Sequence, residues 1–233
     1  MLALVHAFFS VQLRADQIVS GIALNFLALG VTGYIFLDHY GDHGTPDNIP
    51  RVPDISIPGV KNLSFFGDAI GHANTLTWVA LILVVALTVF LFRTPRGLRL
   101  RSVGEHPRAA ETVGISVPRT RYFAVIASGM LAALGGAYLS IGFVGSFNQG
   151  MTAGRGFIAL AAVIFGKWHP VGALGAALLF GFSTALAQRL PAFSPSTAVL
   201  FQALPYVLTL IAVAGVIGRS RPPAAVGQPY VKE

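Results

Sequence analysis

Apolar runs alternate with short polar intervals along the whole chain, and their lengths set the architecture. A membrane-crossing helix needs roughly 20 apolar residues for a hydrocarbon core of about 30 Å. Gln17 to Leu37 is the first such run, and Thr75 to Phe92 the second. Tyr122 to Gly145 is the third, within a charge-free stretch that lasts until Arg155. Pro170 to Gln188 and Val199 to Gly218 follow. Two apolar pieces are shorter. Leu2 to Leu13 has no basic residue before it and no small-residue cleavage pattern after it, so it does not read as a cleaved signal peptide. It reads as the end of a span. Phe157 to Gly166 covers only about 15 Å as a helix, roughly half a bilayer. With the polar stretch Ser146 to Arg155 before it, it reads as a broken or partly crossing helix, which survives only where protein or a wet cavity satisfies the freed backbone. The pattern predicts an all-α, polytopic transmembrane helix bundle: about five full spans, a partial N-terminal span and a short broken helix. The spans fill a membrane domain over residues 1–218, and the Pro-rich, polar stretch 219–233 reads as a tail.

Small residues are spaced to let helices approach in lipid, where packing replaces the hydrophobic effect as the driving force. Ser128, Ala132, Gly136 and Ser140 form one stripe, and Ala173, Ala177, Gly181 and Ala185 a second. Tight helix packing is the expectation for both, with pore lining as the other reading.

Composition agrees with a lipid-embedded chain. Hydrophobic residues make up 54% of the 233 residues and charged residues 11%, against about 25% charged in soluble domains. The mean hydropathy is +0.69. Cysteine is absent, which excludes disulfides and thiolate sites. The net charge of +7 lies in loops between apolar runs, so lipid orientation explains it and nucleic-acid binding is not expected. The loop Arg93 to Arg121 carries Arg93, Arg96, Arg99, Arg101, Arg108, Arg119 and Arg121 against Glu105 and Glu111. The loop Asp38 to Asp68 carries Asp38, Asp42, Asp47, Asp54 and Asp68 against Arg51 and Lys61. Excess Lys and Arg stays cytoplasmic, which puts 93–121 and the C-terminus inside and 38–68 outside. Pro46, Pro50, Pro53 and Pro58 keep the outer loop from forming a regular helix. Trp78 and Trp168 fit interfacial positions at opposite faces.

Soluble enzyme chemistry finds little support. No GxxxxGKS or GxxxxGKT loop and no HExxH pair occurs. Gly154-Arg155-Gly156 lacks the third glycine and preceding strand of a phosphate cradle. Asp38-His39-Tyr40-Gly41-Asp42-His43 has metal-binding composition but reads as a solvated loop. No carboxylate lies within a span, so a proton relay lacks its usual parts. Two polar features stand out. Asn25 lies near the middle of its span, where an amide is costly unless paired. It either bonds a neighbouring helix or meets a polar solute. Phe147, Asn148 and Gln149 form an ordinary turn or a place where an aromatic ring and amides receive a nucleobase.

Within the basic loop, Pro107 suits the first turn of a helix and Gly114 the position just past its end. Arg108 to Val113 between them predicts two helical turns. A helix so short is marginal alone. It either docks on a partner or merely caps the bundle.

The run Gly104-Glu105-His106-Pro107-Arg108-Ala109-Ala110-Glu111-Thr112-Val113-Gly114-Ile115 resembles the cytoplasmic coupling segment of bacterial ABC-importer permeases, in the branch of ribose-type and branched-chain amino acid permeases. The surroundings of Asn25, the stretch Thr152 to Gly166 and the ending Gly227-Gln228-Pro229-Tyr230 resemble the subgroup associated with nucleosides and simple sugars. The resemblance covers nearly the whole chain. It implies an N-terminally incomplete permease domain in a bacterial inner membrane that carries a small polar solute and catalyses nothing itself. It implies a second related permease subunit, cytoplasmic ABC ATPase subunits that use the ATP, and an extracytoplasmic solute-binding protein. This chain is expected to bind no cofactor. In this reading Glu105, Arg108 and Glu111 orient the docked helix, Ala109 and Ala110 let it lie close to the ATPase, and Gly104, Pro107 and Gly114 shape it. The alternatives are a channel or secondary transporter without an ATPase, and a truncated, inactive permease fragment.

Overall fold

The computed structural model describes residues 1–41, 50–56, 72–189, 203, 207 and 220–231. The described chain is helical apart from one small strand pair. Helix α1 (Leu2–Ala7) continues into a wider, π-helical turn (Phe8–Gln12). Helix α2 (Gln17–Tyr40) has 24 residues, and Asp16 caps it by accepting from the amides of Ile18 and Val19 at 2.8 and 3.1 Å. Strands β1 (Asp54–Ser56) and β2 (His72–Asn74) pair antiparallel, with Ile55 opposite Ala73. Helix α3 (Thr75–Arg93) follows directly, capped by the Asn74 side chain. Then come α4 (Pro95–Glu105), α5 (Pro107–Thr112), α6 (Val117–Ala137) with a π-helical extension (Tyr138–Val144), α7 (Arg155–Phe165) and α8 (Pro170–Arg189).

The expected spans at Gln17, Thr75 and Tyr122 are thus continuous helices, long and apolar enough to cross a bilayer. The expected half-length helix is α7, with 11 residues. Helix α8 carries its apolar stretch over Pro170–Leu186. The expected fifth span, Val199 to Gly218, lies outside the described residues, as do Asp42 and His43. The third span begins earlier than its apolar run. Pro118 falls in the first turn of α6, where its missing N–H is not needed, so it starts this helix rather than separating it from the loop.

The described chain divides into two compact units. In the first (residues 1–83, 94–153 and 224–233), α1 lies against α6. The approach is close: a Cβ on Gly129 would overlap that of Ala3. Ala7 and Ser10 are buried, and the Ser10 hydroxyl donates to the His6 carbonyl at 2.7 Å. Among the described residues this contact does not run through the expected stripe. Ser128, Ala132 and Gly136 are exposed, and the contact runs through Gly129, one position along.

The second unit (residues 84–93 and 154–223) contains a tight antiparallel pair, α7 and α8. Ala162, Ala176 and Phe180 form its core, with Ile158, Ala161 and Phe165 against them. The Phe165 and Phe180 rings meet edge-on at 5.2 Å. Backbone approaches backbone at Gly166, where a Cβ would overlap Ala173 and Gly172. The turn requires positive φ at Lys167 (54°) and Trp168 (59°), a region bulky residues rarely adopt. Trp168 is therefore held by a turn and is more than an interfacial anchor. His169 lies 4.5 Å from the Phe92 ring, placing this turn at the C-terminal end of α3. Of the expected stripe, Ala173 makes the close approach to Gly166. Ala177, Gly181 and Ala185 are exposed, while Ala176, Phe180 and Ser183 face inward.

Candidate functional site

Prolines build the basic loop into a helical hairpin. The residue before a proline is driven out of the α region. Thr94 obeys, with ψ 150°, and its hydroxyl caps α4 by accepting from Gly97 N at 3.1 Å. His106 obeys at the other end, with φ −135° and ψ 77°, so α4 stops at Glu105 and Pro107 opens α5. Helix α5 ends where expected. Gly114 stands just beyond it with φ 82°, donating to the Glu111 carbonyl at 2.8 Å, and Ile115 N returns to Ala110 O at 3.0 Å. The loop was expected to hold only the short helix, but it is helical from Pro95. Its polar, Arg-rich sequence hid that first helix, because no apolar stripe marks it.

Val103 of α4, Ala110 of α5 and Val117 of α6 make the hairpin core, with Ile115 and Tyr230 against it. Val117 is fully buried. Ala110 thus faces its own core, and Ala109 alone of the alanine pair is on the outward face beside Arg108. Val113, at 74% exposure, extends that face.

The two acidic residues contact the C-terminal stretch, with Glu105 exposed and Glu111 half-buried. Glu105 accepts from the Ala224 amide at 3.2 Å, and the Tyr230 hydroxyl donates to Glu111. Gly104 accepts from Ala225 N at 3.0 Å. Arg121 of α6 donates to the Gln228 carbonyl at 2.8 Å, and its guanidinium lies 5.9 Å from the centre of the Tyr230 ring. The C-terminal stretch expected to be a tail is docked on the hairpin. Sequence reasoning missed Tyr230, Gln228 and Arg121. The signal was present in the ending Gly227-Gln228-Pro229-Tyr230, where an aromatic follows a turn, but nothing local says where it lands.

A second constellation lies where α6 ends. Gly145 takes φ 74°, and the chain turns into Ser146–Gly150. The Phe147 ring lies 6.1 Å from that of Phe36 of α2, tilted by 46°, and Gln149 Nε2 donates to the Gly33 carbonyl at 3.2 Å. Among the described residues the Asn148 side-chain amide reaches Ser146 Oγ, at 3.4 Å, and Asn148 is exposed. On α2, the residues Asn25, Thr32 and Phe36 share one face by helical spacing. The Thr32 hydroxyl is satisfied by the Ala28 carbonyl at 2.6 Å. Asn25 is exposed and makes no hydrogen bond to the described residues. The expected interhelical bond from Asn25 is thus not formed within the described chain.

The strand pair braces this end. Asn74 Nδ2 donates to Val52 O at 3.0 Å, Val52 N donates to Ile141 O at 3.1 Å, and Arg51 reaches Val144 O at 3.1 Å. Thr75 Oγ1 donates to Pro53 O at 2.6 Å.

Long apolar helices with exposed sides, a proline-bracketed hairpin between two of them and a polar turn at the far end of α6 define a membrane permease component. The sequence profile of the family described as branched-chain amino acid transport system / permease component matches residues 1–213. The chain belongs to this family, and it is a multi-pass membrane protein. It is similar to the guanosine ABC transporter permease protein NupQ of Bacillus subtilis, 44% identical over 237 residues, covering 100% of this chain and 74% of the relative. It is also similar to the nucleoside ABC transporter permease protein NupC of Lactococcus lactis, 38% identical over 231 residues, 97% of this chain and 73% of the relative. NupB, a nucleoside ABC transporter permease protein of the same organism, is 26% identical over 172 residues, 72% of this chain and 47% of the relative. No solved structure matches the chain.

Proposed function

We propose that the chain is a pathway-forming permease subunit of an ATP-driven importer for nucleosides or their sugar relatives. The observation that carries the reading is 44% identity across the whole chain to a guanosine permease, together with the built hairpin at Pro95–Thr112. Helix α5 is the coupling helix, and its Arg108, Ala109 and Val113 face meets a cytoplasmic ATPase. The hairpin and the C-terminus are cytoplasmic, because arginine concentrates there. Two Lactococcus relatives, NupB and NupC, support pairing with a second, related permease. An extracytoplasmic binding protein delivers the solute. ATP is used by the partner, and its binding shifts the permease between outward- and inward-facing states by differential contact with α5.

The Asn25 amide and the Phe147–Gln149 turn supply what a nucleoside needs: hydrogen bonds to base edge or ribose, and an aromatic face for the base. Asn25 supports this most, since an exposed amide at mid-span is costly unpaired and has no side-chain hydrogen bond among the described residues. The test is uptake of labelled guanosine into proteoliposomes holding the copurified complex, with ATP inside or outside. Uptake only with ATP on the hairpin side is the expected result. Uptake independent of ATP would establish a channel or secondary transporter instead.

A further inference from the structure

A six-residue helix does not hold itself together. Among the described residues, the hairpin core beneath α5 is Val103, Ala110 and Val117, with Ile115 and the Tyr230 ring as flanks. Something else must fix the direction of α5. The docked C-terminal segment does so at points on each neighbouring helix. Ala225 N and Ala224 N bind the end of α4, at Gly104 O and Glu105. The Tyr230 hydroxyl binds Glu111 of α5. Arg121 of α6 grips the same segment at Gln228 O and lies over the Tyr230 ring. Gly227, with φ 74°, makes the bend that returns Gln228–Tyr230 to the hairpin.

We propose that Ala224–Tyr230 is a strap that transmits movement of the coupling helix into α6, with Tyr230 as the positioning residue. This rests on the importer reading above. The path is α5, Glu111, Tyr230, Arg121, α6. Each link is a polar or ring contact between groups on different segments, so a push on α5 moves the base of a membrane-spanning helix rather than only bending a six-residue loop helix. The strap also explains the contacts of the carboxylates: Glu105 and Glu111 hold the strap, and Ala109 and Val113 are exposed on the other face of α5.

The test uses the full chain and Tyr230→Phe, which keeps the ring and removes the donor to Glu111. Hydrogen exchange on the full chain in detergent reads the hairpin. Solute moved per ATP hydrolysed by the reconstituted complex reads coupling. A hydrogen bond to a carboxylate sets the scale, and its loss is expected to speed exchange of the Ala110 and Ile115 amides about ten-fold. Solute per ATP is expected to fall several-fold, with the half-saturating solute concentration unchanged. Deleting residues 224–233 is expected to do the same more strongly. Unchanged exchange in both variants would overturn the strap. Faster exchange with unchanged solute per ATP would reduce it to a packing element and overturn its role in coupling. A wild-type complex without ATP-driven uptake would overturn the importer reading and the coupling role with it, while the exchange result would still decide whether the strap holds the hairpin.

Discussion

The hairpin at Pro95–Thr112 and the turn at Ser146–Gly150 lie in the same compact unit and treat their polar groups in opposite ways. In the hairpin both carboxylates have partners within the chain, and a small apolar core sits beneath them. At the turn, Phe147 and Gln149 are anchored to α2, while Asn148 is exposed there and Asn25 is exposed about two to three turns away along α2. In the importer proposed above, the hairpin transmits force and needs internal contacts that do not depend on a ligand. The turn in that proposal needs polar groups left for a solute, since a satisfied amide offers the solute nothing.

The comparison breaks most sharply at the carboxylates. Glu105→Lys with Glu111→Lys should leave insertion intact and lower ATP-driven uptake by about ten-fold or more, because two charge-assisted contacts to the strap go together. Unchanged uptake in proteoliposomes would remove the hairpin from coupling. Gly166→Val tests a region with no role in either site. Its side chain would meet backbone at Gly172 and Ala173, and overpacking of this kind costs about 1–3 kcal/mol, to be read as lost thermal stability in detergent. Asn25→Leu sharpens the other half. It should insert as well as wild type and raise the half-saturating solute concentration about five-fold, the scale of one neutral hydrogen bond. An unchanged value would take Asn25 out of the solute path. Gly114→Ala should have the smallest effect, about 1 kcal/mol from forcing a Cβ into left-handed backbone, seen as faster exchange in α5 alone.

Much of this was legible locally. The apolar runs gave α2, α3 and α8 nearly to the residue, and the short run gave α7 as a half-length helix. Pro107 and Gly114 bracketed α5 because each fixes its own backbone or its neighbour's without help from distant contacts. Helix α4 was not legible, since its exposed, Arg-rich surface has no strong apolar period.

The sequence by itself determined that this chain lives in lipid, where its helices run and where prolines punctuate them, because span length and backbone restriction are local properties. Only the tertiary structure decided which face of each helix is used among the described residues, that Ala110 faces the hairpin core, and that Glu105 and Glu111 meet the C-terminal stretch. It also decided that the last residues are a docked strap. Those outcomes depend on which distant segments meet, as Tyr230 meets Glu111 and Arg121, and spacing along the chain carries no record of such meetings.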